Sequence, residues 1–297
     1  MREDVFRQRL KLLKSYGFNV LGLDEALTAL DNSALPPKAV VITADDGYCS
    51  TPHTLSKACA ESQFPLTIYV TSYYAEKQNP IFNVMVQYLF WKTERHELTG
   101  DLVFAGINDT NRISLDGNNQ AYWANFIIDY GRKDCDEHGR ERILIGLCKL
   151  LAFNYQEMKS DGFLMLMDAK SIAGLAEQGV DLQLHTHRHR FPVKRESVIK
   201  EIEDNRAFLE PLVGKSLKHF CYPSGIWDAE QHPWMKQLAI ESATTCQLGF
   251  VTAWSDRLAL NRYLDRDDIS ENEFLAEASG FLMLARRCRK KVKRLWL

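Results

Sequence analysis

The chain has 297 residues, of which 45% are hydrophobic and 26% are charged, and its formal net charge is −2. This is the composition of a globular protein, long enough for one large barrel or two modest domains. No apolar run reaches the roughly 18 residues that a membrane-spanning helix requires. The N-terminal sequence MREDVFRQRLKLLKSYGF is amphipathic and charged, unlike a signal peptide, so the expected location is the cytoplasm.

The cysteines and the C-terminal segment further limit which kinds of protein and which partners the sequence allows. Seven cysteines, odd in number and never spaced as C-x-x-C, argue against a disulfide framework or a zinc knuckle. The tail 286–297 starts with RRCRKKVKR and ends on the apolar LWL. It is interpreted either as a solvated tail or as a peripheral contact with the anionic inner face of a membrane. Nucleic acid is not expected as a partner, because basic and aromatic residues do not interleave elsewhere.

The first 71 residues are predicted to alternate between helices and strands. Apolar residues recur at helical spacing in the helices, whereas AVVITA and PLTIYVT are continuously apolar, as buried strands are. Asp24 is expected to cap the second helix. The predicted elements are, in order, helices 5–16 and 24–30, strand 39–44, helix 51–62 and strand 65–71. Strand, helix and strand at this spacing indicate a parallel α/β architecture.

The alternation of helices and strands stops in residues 72–168, which are predicted to form a helical insertion. Their patterns IFNVMVQYLFW, AYWANFIIDY and ERILIGLCKLL are aromatic-rich and helical. The alternation then resumes with helix 167–179, strand 180–185, helix 196–212, strand 217–223, helix 228–239 and strand 244–253. A helix, a glycine and a strand with a polar end form the pattern of a βα barrel. The chain is therefore predicted to be one domain, 1–297, that carries the insertion and the basic tail.

Three strand ends carry the polar residues that chemistry requires: ITADDG, LQLHTHRH and FCYPSG. The carboxyl ends of parallel strands meet at one rim, which would bring these segments together. His185 and His189 can converge on a divalent cation while His187 points away, although a histidine-rich surface turn is the alternative. Of Asp45 and Asp46, one can complete a metal site and the other can stand beside it as a base.

These segments resemble the motifs of the polysaccharide deacetylases, also called carbohydrate esterase family 4 or the NodB-homology group. TADDG at 43–47 is similar to the family's T-F-D-D-G motif. GVDLQLHTHRH is similar to its strand followed by H-[ST]-x-x-H, and HFCYPSG to the Y-P-x-G form of its third motif. The order and the strand contexts agree, so the combination is specific. The resemblance covers about residues 39–71 and 179–262.

The resemblance implies an α/β fold, an irregular (β/α) barrel of about seven strands. It implies a hydrolase that acts on a linear amide C–N bond and removes the acetyl group from an N-acetylated sugar. By the same resemblance Asp46, His185 and His189 bind a divalent metal, with Zn²⁺ expected. Asp45 would then be the general base that takes a proton from the attacking water.

The resemblance also suggests supporting roles around this centre. Thr186 would brace the loop between the two histidines, and the backbone N–H of Ser224 would stabilise the tetrahedral oxyanion. Tyr222, Trp227 and Trp254 lie near the proposed rim and could stack on a sugar ring, and Pro223 is a further candidate substrate-binding residue. Burial in the core is the alternative for the aromatic ones.

Two features depart from the family pattern. Cys221 occupies the place of an arginine that orients the catalytic aspartate in many members, and no late L-x-H histidine is present. Arg262, in the segment LNR, lies in the corresponding region. The hypothesis is that Arg262 pairs with Asp45 instead, since a guanidinium orients a carboxylate well but is a poor proton donor. The general acid is left unassigned.

The expected substrate is a saccharide precursor of a bacterial surface polysaccharide, either nucleotide-linked or lipid-linked. A second interpretation keeps the metal and changes the substrate to a non-sugar amide or imide. A third is a catalytically degenerate carbohydrate-binding protein that has kept the metal ligands.

Overall fold

The computed structural model describes residues 1–108, 110–286 and 288. They fall into two compact units, one formed by residues 1–76 with the chain from 167 onward, and the other by residues 77–166. The second unit lies within the predicted insertion 72–168, whose own bounds stay a prediction. No helix in the described ranges is both long and apolar enough to cross a membrane. Most of the basic tail, residues 287 and 289–297, lies outside the described residues.

The N-terminal part of the first unit contains short parallel strands between helices. Its elements are α1 (Glu3–Ser15), β1 (Asn19–Val20), α2 (Leu23–Asp31), β2 (Ala39–Val40), β3 (Thr43–Ala44), α3 (Lys57–Ser62), β4 (Thr67–Val70) and α4 (Ser72–Lys77). The predicted strand 39–44 is split, because β2 pairs with β1 while β3 pairs with β4. The prediction that Asp24 caps α2 is wrong. Gly22 is the N-cap, and its N–H donates to Glu25 Oε2 at 3.3 Å.

The second unit is mainly helical and has its own hydrophobic core. Its elements are α5 (Phe82–Lys92), β5 (Glu97–Thr99), β6 (Arg112–Ser114), α6 (Asn119–Lys133), α7 (Glu137–Leu151) and α8 (Tyr155–Ser160). Leu89, Ile127 and Ile143 are buried in this core, where the apolar faces of α5, α6 and α7 meet. The antiparallel pair β5–β6 was not predicted from the sequence.

The remainder of the first unit completes the main sheet. Its elements are α9 (Ala169–Glu177), β7 (Asp181–Leu184), α10 (Arg195–Val213), β8 (His219–Cys221), α11 (His232–Gln237), β9 (Ser242–Thr244) and α12 (Glu271–Ala278). The predicted strand 244–253 is wrong, because the paired segment is Ser242–Thr244 and the chain then leaves the sheet in a loop. Helix α12 was not predicted.

All neighbours in the main sheet are parallel, in the order β3-β4-β7-β8-β9, and β1 and β2 form a separate parallel pair. A parallel bridge between Thr244 and Leu260 follows at the β9 edge. The sheet is curled and flanked by helices, so the prediction of an α/β fold of the (β/α)-barrel type is confirmed. Strand β4 is buried along its whole length, as a central parallel strand requires. The carboxyl ends of these strands supply the candidate site.

Candidate functional site

The turn after β3 separates the two adjacent aspartates. Asp46 has φ +68° and Gly47 has φ +80°, so the chain passes through the left-handed region that non-glycine residues rarely adopt. Two backbone hydrogen bonds fix this turn: Thr71 N–H donates to Asp46 O at 3.2 Å, and Met167 N–H donates to Gly47 O at 2.8 Å. A Cβ on Gly47 would lie 3.1 Å from Met167 Cε, so the position is both strained and crowded for any other residue. The turn allows the carboxylates of Asp45 and Asp46 to have different partners.

Asp46, His185 and His189 bring three ligand atoms together, and we call these residues the metal triad. Asp46 Oδ1 lies 3.3 Å from His185 Nε2 and 3.1 Å from His189 Nε2. This oxygen is buried and has no hydrogen-bond partner among the described residues. Ligand atoms about 2.0–2.1 Å from a tetrahedral Zn²⁺ are themselves about 3.3 Å apart. The metal triad therefore fits a divalent metal.

A buried backbone contact fixes the orientation of the His185 ring. Its Nδ1–H donates to the carbonyl oxygen of Cys221 at 2.7 Å, which leaves the Nε2 lone pair free to face Asp46. Metal-binding histidines are commonly oriented in this way by a second partner. Burial opposes ionisation of Asp46, yet the positive charge of His185 and His189, when their rings are protonated, holds the pKa of its carboxyl below the usual range. The carboxylate is thus available to a cation as an anion.

Arg262 pairs with Asp45 through both of its terminal nitrogens. Nη1 donates to Oδ1 and Nη2 to Oδ2, each at 2.8 Å, which is the bidentate geometry of a strong arginine-carboxylate pair. The guanidinium is held by further hydrogen bonds to Thr245 O at 2.9 Å and Thr43 Oγ1 at 3.3 Å. Its Nη2 also lies 3.2 Å from Cys221 Sγ. The structure therefore contains the pairing that the sequence hypothesis proposed, with the Cys221 thiol beside the guanidinium.

This pairing sets the charge of Asp45. Burial raises the pKa of a carboxyl group, but the hydrogen bonds from Arg262 outweigh that effect and hold the pKa of Asp45 below its ordinary value. The second three-residue group that could bind a metal, Asp45 with His185 and Cys221, uses a carboxylate whose two oxygens already accept from Arg262. Asp46 is consequently the carboxylate better suited to a metal.

The loop between the two histidine ligands has a tightly fixed backbone. Thr186 and His189 have φ values of +63° and +52°, and Thr186 Oγ1 accepts from the N–H of Arg190 at 3.2 Å. Thr186 thus contacts the loop as the resemblance implies. His187 points away from the metal triad, because its Nδ1 is hydrogen-bonded to Ser72 Oγ at 2.9 Å.

The residues of the third motif differ in accessibility. Ser224 is exposed, with φ +57°, and its N–H has no hydrogen-bond acceptor within the described part of the chain. Tyr222 is 0% exposed and packs edge-on against Phe191, and Pro223 is also buried. Burial in the core, the alternative considered for the aromatic residues, is therefore what the structure shows for Tyr222, and the substrate-binding roles of Tyr222 and Pro223 stay predictions. Trp227 is partly exposed, and its role stays a prediction.

Two buried polar residues that support the site were not predicted from the sequence. Asn205 and Glu201, one turn apart on α10, both lie on its buried face. A signal was present: Asn205 occupies a position of the buried stripe that also contains Val198, Ile202 and Leu209. A polar residue in such a stripe needs hydrogen-bond partners, and here those partners are the strand ends of the site.

Solved structures share this fold at low sequence identity. The deacetylase PplD from Streptococcus pyogenes, in complex with acetate, has a TM-score of 0.59 at 16% identity over 93% of this chain and 86% of its own. IcaB from Ammonifex degensii has a TM-score of 0.56 at 15% identity, over 94% and 90%. The BpsB deacetylase domain from Bordetella bronchiseptica has a TM-score of 0.52 at 13% identity, over 86% and 82%. At these identities the likeness shows the fold.

A family model adds evidence from the sequence itself. Residues 153–243 match the model described as polysaccharide deacetylase. The resemblance to the polysaccharide deacetylases is confirmed. The matched polysaccharide deacetylase segment contains His185, His189 and the third motif, whereas Asp45, Asp46 and Arg262 lie outside it. The prediction of a deacetylase-type hydrolase is confirmed by the same comparisons. No curated protein sequence matches the chain.

Proposed function

We propose that this protein is a metal-dependent hydrolase that removes an N-acetyl group from a saccharide precursor of a bacterial surface polysaccharide. The observation that carries the proposal is the metal triad, with its buried Asp46 Oδ1, next to an Asp45 that is held bidentately by Arg262. The polysaccharide deacetylase match supports carbohydrate deacetylation. We further propose that the metal is Zn²⁺ and that the substrate is a precursor of the polysaccharide.

The metal triad would hold the metal through Asp46 Oδ1 and the Nε2 atoms of the two histidines. A divalent metal bound there would polarise the amide carbonyl and acidify the attacking water. Asp45 accepts the proton of that water, and Arg262 keeps its carboxylate ionised and oriented. Each oxygen of Asp45 that accepts from Arg262 retains a further lone pair for this proton. The carboxylate can therefore act as a base without leaving its arginine.

Two further steps complete the hydrolysis. No acceptor in the described ranges takes the Ser224 N–H, so it can donate to the oxyanion that forms when water adds to the amide carbonyl. The C–N bond then breaks, and the departing amine requires a proton. Asp45, protonated in the first step, can return that proton to the nitrogen, which leaves acetate and a free amino sugar and restores the carboxylate.

Exposed tryptophans on the loops around the site support a saccharide as the substrate. Trp254, in the loop after β9, is 95% exposed, and Trp227, in the loop after β8, is partly exposed. Loops that follow the carboxyl ends of parallel strands lie on the same side of the sheet as the metal triad. The Trp227 ring already stacks on His232, with 5.1 Å between the ring centroids, so Trp254 is the better placed of the two to stack on the apolar face of a sugar.

The proposed location is the cytoplasm, with the basic tail in peripheral contact with the inner membrane face. The support for it is the sequence RRCRKKVKR, because each basic residue near an anionic surface adds to binding. Cell fractionation and vesicle sedimentation of the full chain and of a tail-deleted chain test this part. Equal solubility of both, with no binding to anionic vesicles, would contradict the membrane contact.

The activity is tested by measuring metal content and acetate release from N-acetylated oligosaccharides, with and without a chelator. We expect bound metal in the purified protein and acetate release that the chelator abolishes and added Zn²⁺ restores. The matched control is Asp46→Asn, which keeps the shape of the side chain but removes its anionic ligand. Metal binding without acetate release would favour a non-sugar amide or a binding function. Acetate release that survives the chelator would contradict the metal dependence.

A further inference from the structure

Helix α10 holds the backbone of the loop that carries both histidine ligands. The N–H of His185 donates to Asn205 Oδ1 at 3.0 Å, and the N–H of His187 donates to the carbonyl oxygen of Glu201 at 3.0 Å. The N–H of Arg188 donates to Glu201 Oε2 at 2.8 Å. Three amides of the loop are therefore anchored to two residues of one helix. Side chains on a helix are more rigidly placed than side chains on a loop.

Asn205 also connects the loop to the neighbouring strand. Its Nδ2 donates to Val70 O at 3.1 Å and to Ser72 Oγ at 2.8 Å, while its Oδ1 accepts from His185. Val70 ends β4, and His185 directly follows β7, so one amide group joins two adjacent strand ends to α10. Asn205 is 0% exposed, and water does not compete for these hydrogen bonds.

The hydrogen bonds of Asn205 continue through Ser72 to His187, the histidine that is not part of the metal triad. Ser72 Oγ, which accepts from Asn205, is also hydrogen-bonded to His187 Nδ1 at 2.9 Å. His187 O in turn accepts from the N–H of Tyr73 at 2.8 Å. The side chain of His187 is thus fixed on the side of the loop that faces away from the metal triad.

We propose that Asn205 is the positioning residue of the metal triad. It sets metal affinity by holding the His185 backbone and the end of β4 in one fixed geometry. The proposal rests on the function proposed above, since it assumes that the metal triad binds a metal. We assign Asn205 no contact with the substrate or the metal. It acts through the backbone of His185.

Backbone strain is the physical reason that such an anchor is needed. Thr186 and His189 both have positive φ values, and residues in that region persist only where the surroundings hold them. Without the Asn205 anchor, the loop can relax and the Nε2 atoms of the two histidines separate. Loss of an outer-shell partner of a metal ligand typically weakens metal binding about 10-fold to 100-fold.

The test measures metal binding directly, so no substrate is required. The full chain is titrated with Co²⁺ and with Zn²⁺ against a competing chelator, and the visible absorption spectrum of the Co²⁺ form is recorded. In Asn205→Leu, which has similar volume and no hydrogen-bonding group, we expect about 10-fold to 100-fold weaker binding and a changed Co²⁺ spectrum. The matched control is Leu209→Ala, one turn further along the buried face of α10. It should lower the Tm of the metal-free protein yet keep the wild-type affinity and spectrum.

The outcomes separate this inference from the proposed function. If the wild-type protein binds neither ion, the proposed function fails, and this inference fails with it. If the wild type binds metal and Asn205→Leu retains its affinity and spectrum, only the positioning role is overturned. An equal loss of affinity in Leu209→Ala would also overturn it, because general destabilisation would then explain the effect. Should Asn205→Leu not fold, Ser72→Ala provides the test: affinity about threefold to tenfold weaker supports the role, and wild-type affinity contradicts it.

Discussion

Histidine lies beside aspartate at both ends of the parallel strands. At one end the histidine is fully hydrogen-bonded, whereas at the other end the side chains can bind a metal. At the amino ends, His219 Nδ1 is hydrogen-bonded to Ser242 Oγ at 2.8 Å, and His219 Nε2 donates to Asp24 Oδ1 at 3.0 Å. Both ring nitrogens are therefore satisfied. At the carboxyl ends, Asp46 Oδ1 has no hydrogen-bond partner among the described residues, and the Nε2 atoms of His185 and His189 lie 3.3 Å and 3.1 Å from it.

Residue types alone do not make a functional site. Serine, histidine and aspartate in hydrogen-bonding order are the components of a nucleophilic triad. Ser242 is 0% exposed, however, and His219 is 1% exposed, so no substrate can reach the hydroxyl. The cluster Asp24–His219–Ser242 links α2 to β8 and β9 and is structural. Asp46 Oδ1, which has no hydrogen-bond partner among the described residues and lies where the strand ends meet the loops, marks the functional end.

The largest effect predicted here comes from Arg262. Arg262→Gln removes the bidentate pair, and misplacement of the general base should lower kcat/KM by about 100-fold or more. Because Arg262 lowers the pKa of Asp45, its loss raises that pKa. Asp45 must be ionised to act as a base, so the acid limb of the pH-rate profile should move to higher pH. A pH-rate series on both proteins measures this shift.

Arg262→Lys is the matched variant for this test. It keeps the positive charge but loses the fork that contacts both oxygens of Asp45. In Arg262→Lys the acid limb of the pH-rate profile should shift less than in Arg262→Gln. Its kcat/KM should lie between those of Arg262→Gln and the wild type. Full activity and an unchanged acid limb in Arg262→Gln would show that Arg262 does not orient the base.

A moderate effect, on stability only, is predicted at the opposite end. His219→Gln should lower the free energy of unfolding by about 1–3 kcal/mol, because buried partners lose their hydrogen bonds. Metal content and kcat should stay at the wild-type values. Chemical denaturation of the variant and of Ser242→Ala measures the first effect, and metal analysis measures the second. Loss of metal in either variant would contradict the structural role of the cluster.

The same histidine predicts a pH dependence of stability. Burial lowers the pKa of His219 despite the opposing effect of Asp24, so the folded state binds its proton less readily than the unfolded state. As pH falls below the ordinary histidine pKa of about 6.5, the unfolded state takes up more protons and stability decreases. His219→Gln should lose this part of the pH dependence. If the free energy of unfolding changed with pH equally in both proteins, this role of His219 would be contradicted.

The smallest effect is expected from Tyr222→Phe. The Tyr222 hydroxyl is buried and has no hydrogen-bond partner among the described residues. Its removal leaves no partner unpaired and takes away a buried polar group, so the free energy of unfolding should not decrease and KM should be unchanged. A severalfold rise in KM would return Tyr222 to the substrate-binding role that its burial argues against.

The parts of the site that were predictable are those with a local signal. Asp45, Asp46, His185 and His189 follow apolar strands directly, and topology then brings the strand ends together. Arg262 was proposed because the expected arginine is replaced by Cys221 and another arginine lies in the right region. Local motifs and parallel-strand topology therefore account for most of the candidate site.

The missed features depend on contacts between distant parts of the chain. The end of β9 at Thr244 and the pairing of β5 with β6 are set by hydrogen bonds to another strand rather than by local composition. Tyr222 is buried because Phe191 packs on it, which the sequence around Tyr222 does not indicate. Asn205 has no motif of its own, and its importance follows from its partners in β4 and after β7.

The decisive measurement is the metal content per chain. Elemental analysis determines it for wild type, Asp46→Asn and His219→Gln after equal exposure to Zn²⁺ and gel filtration. If the metal triad is the functional centre, wild type and His219→Gln retain one ion per chain while Asp46→Asn retains none. Retention of the ion by Asp46→Asn, or its absence from the wild type, would contradict the claim.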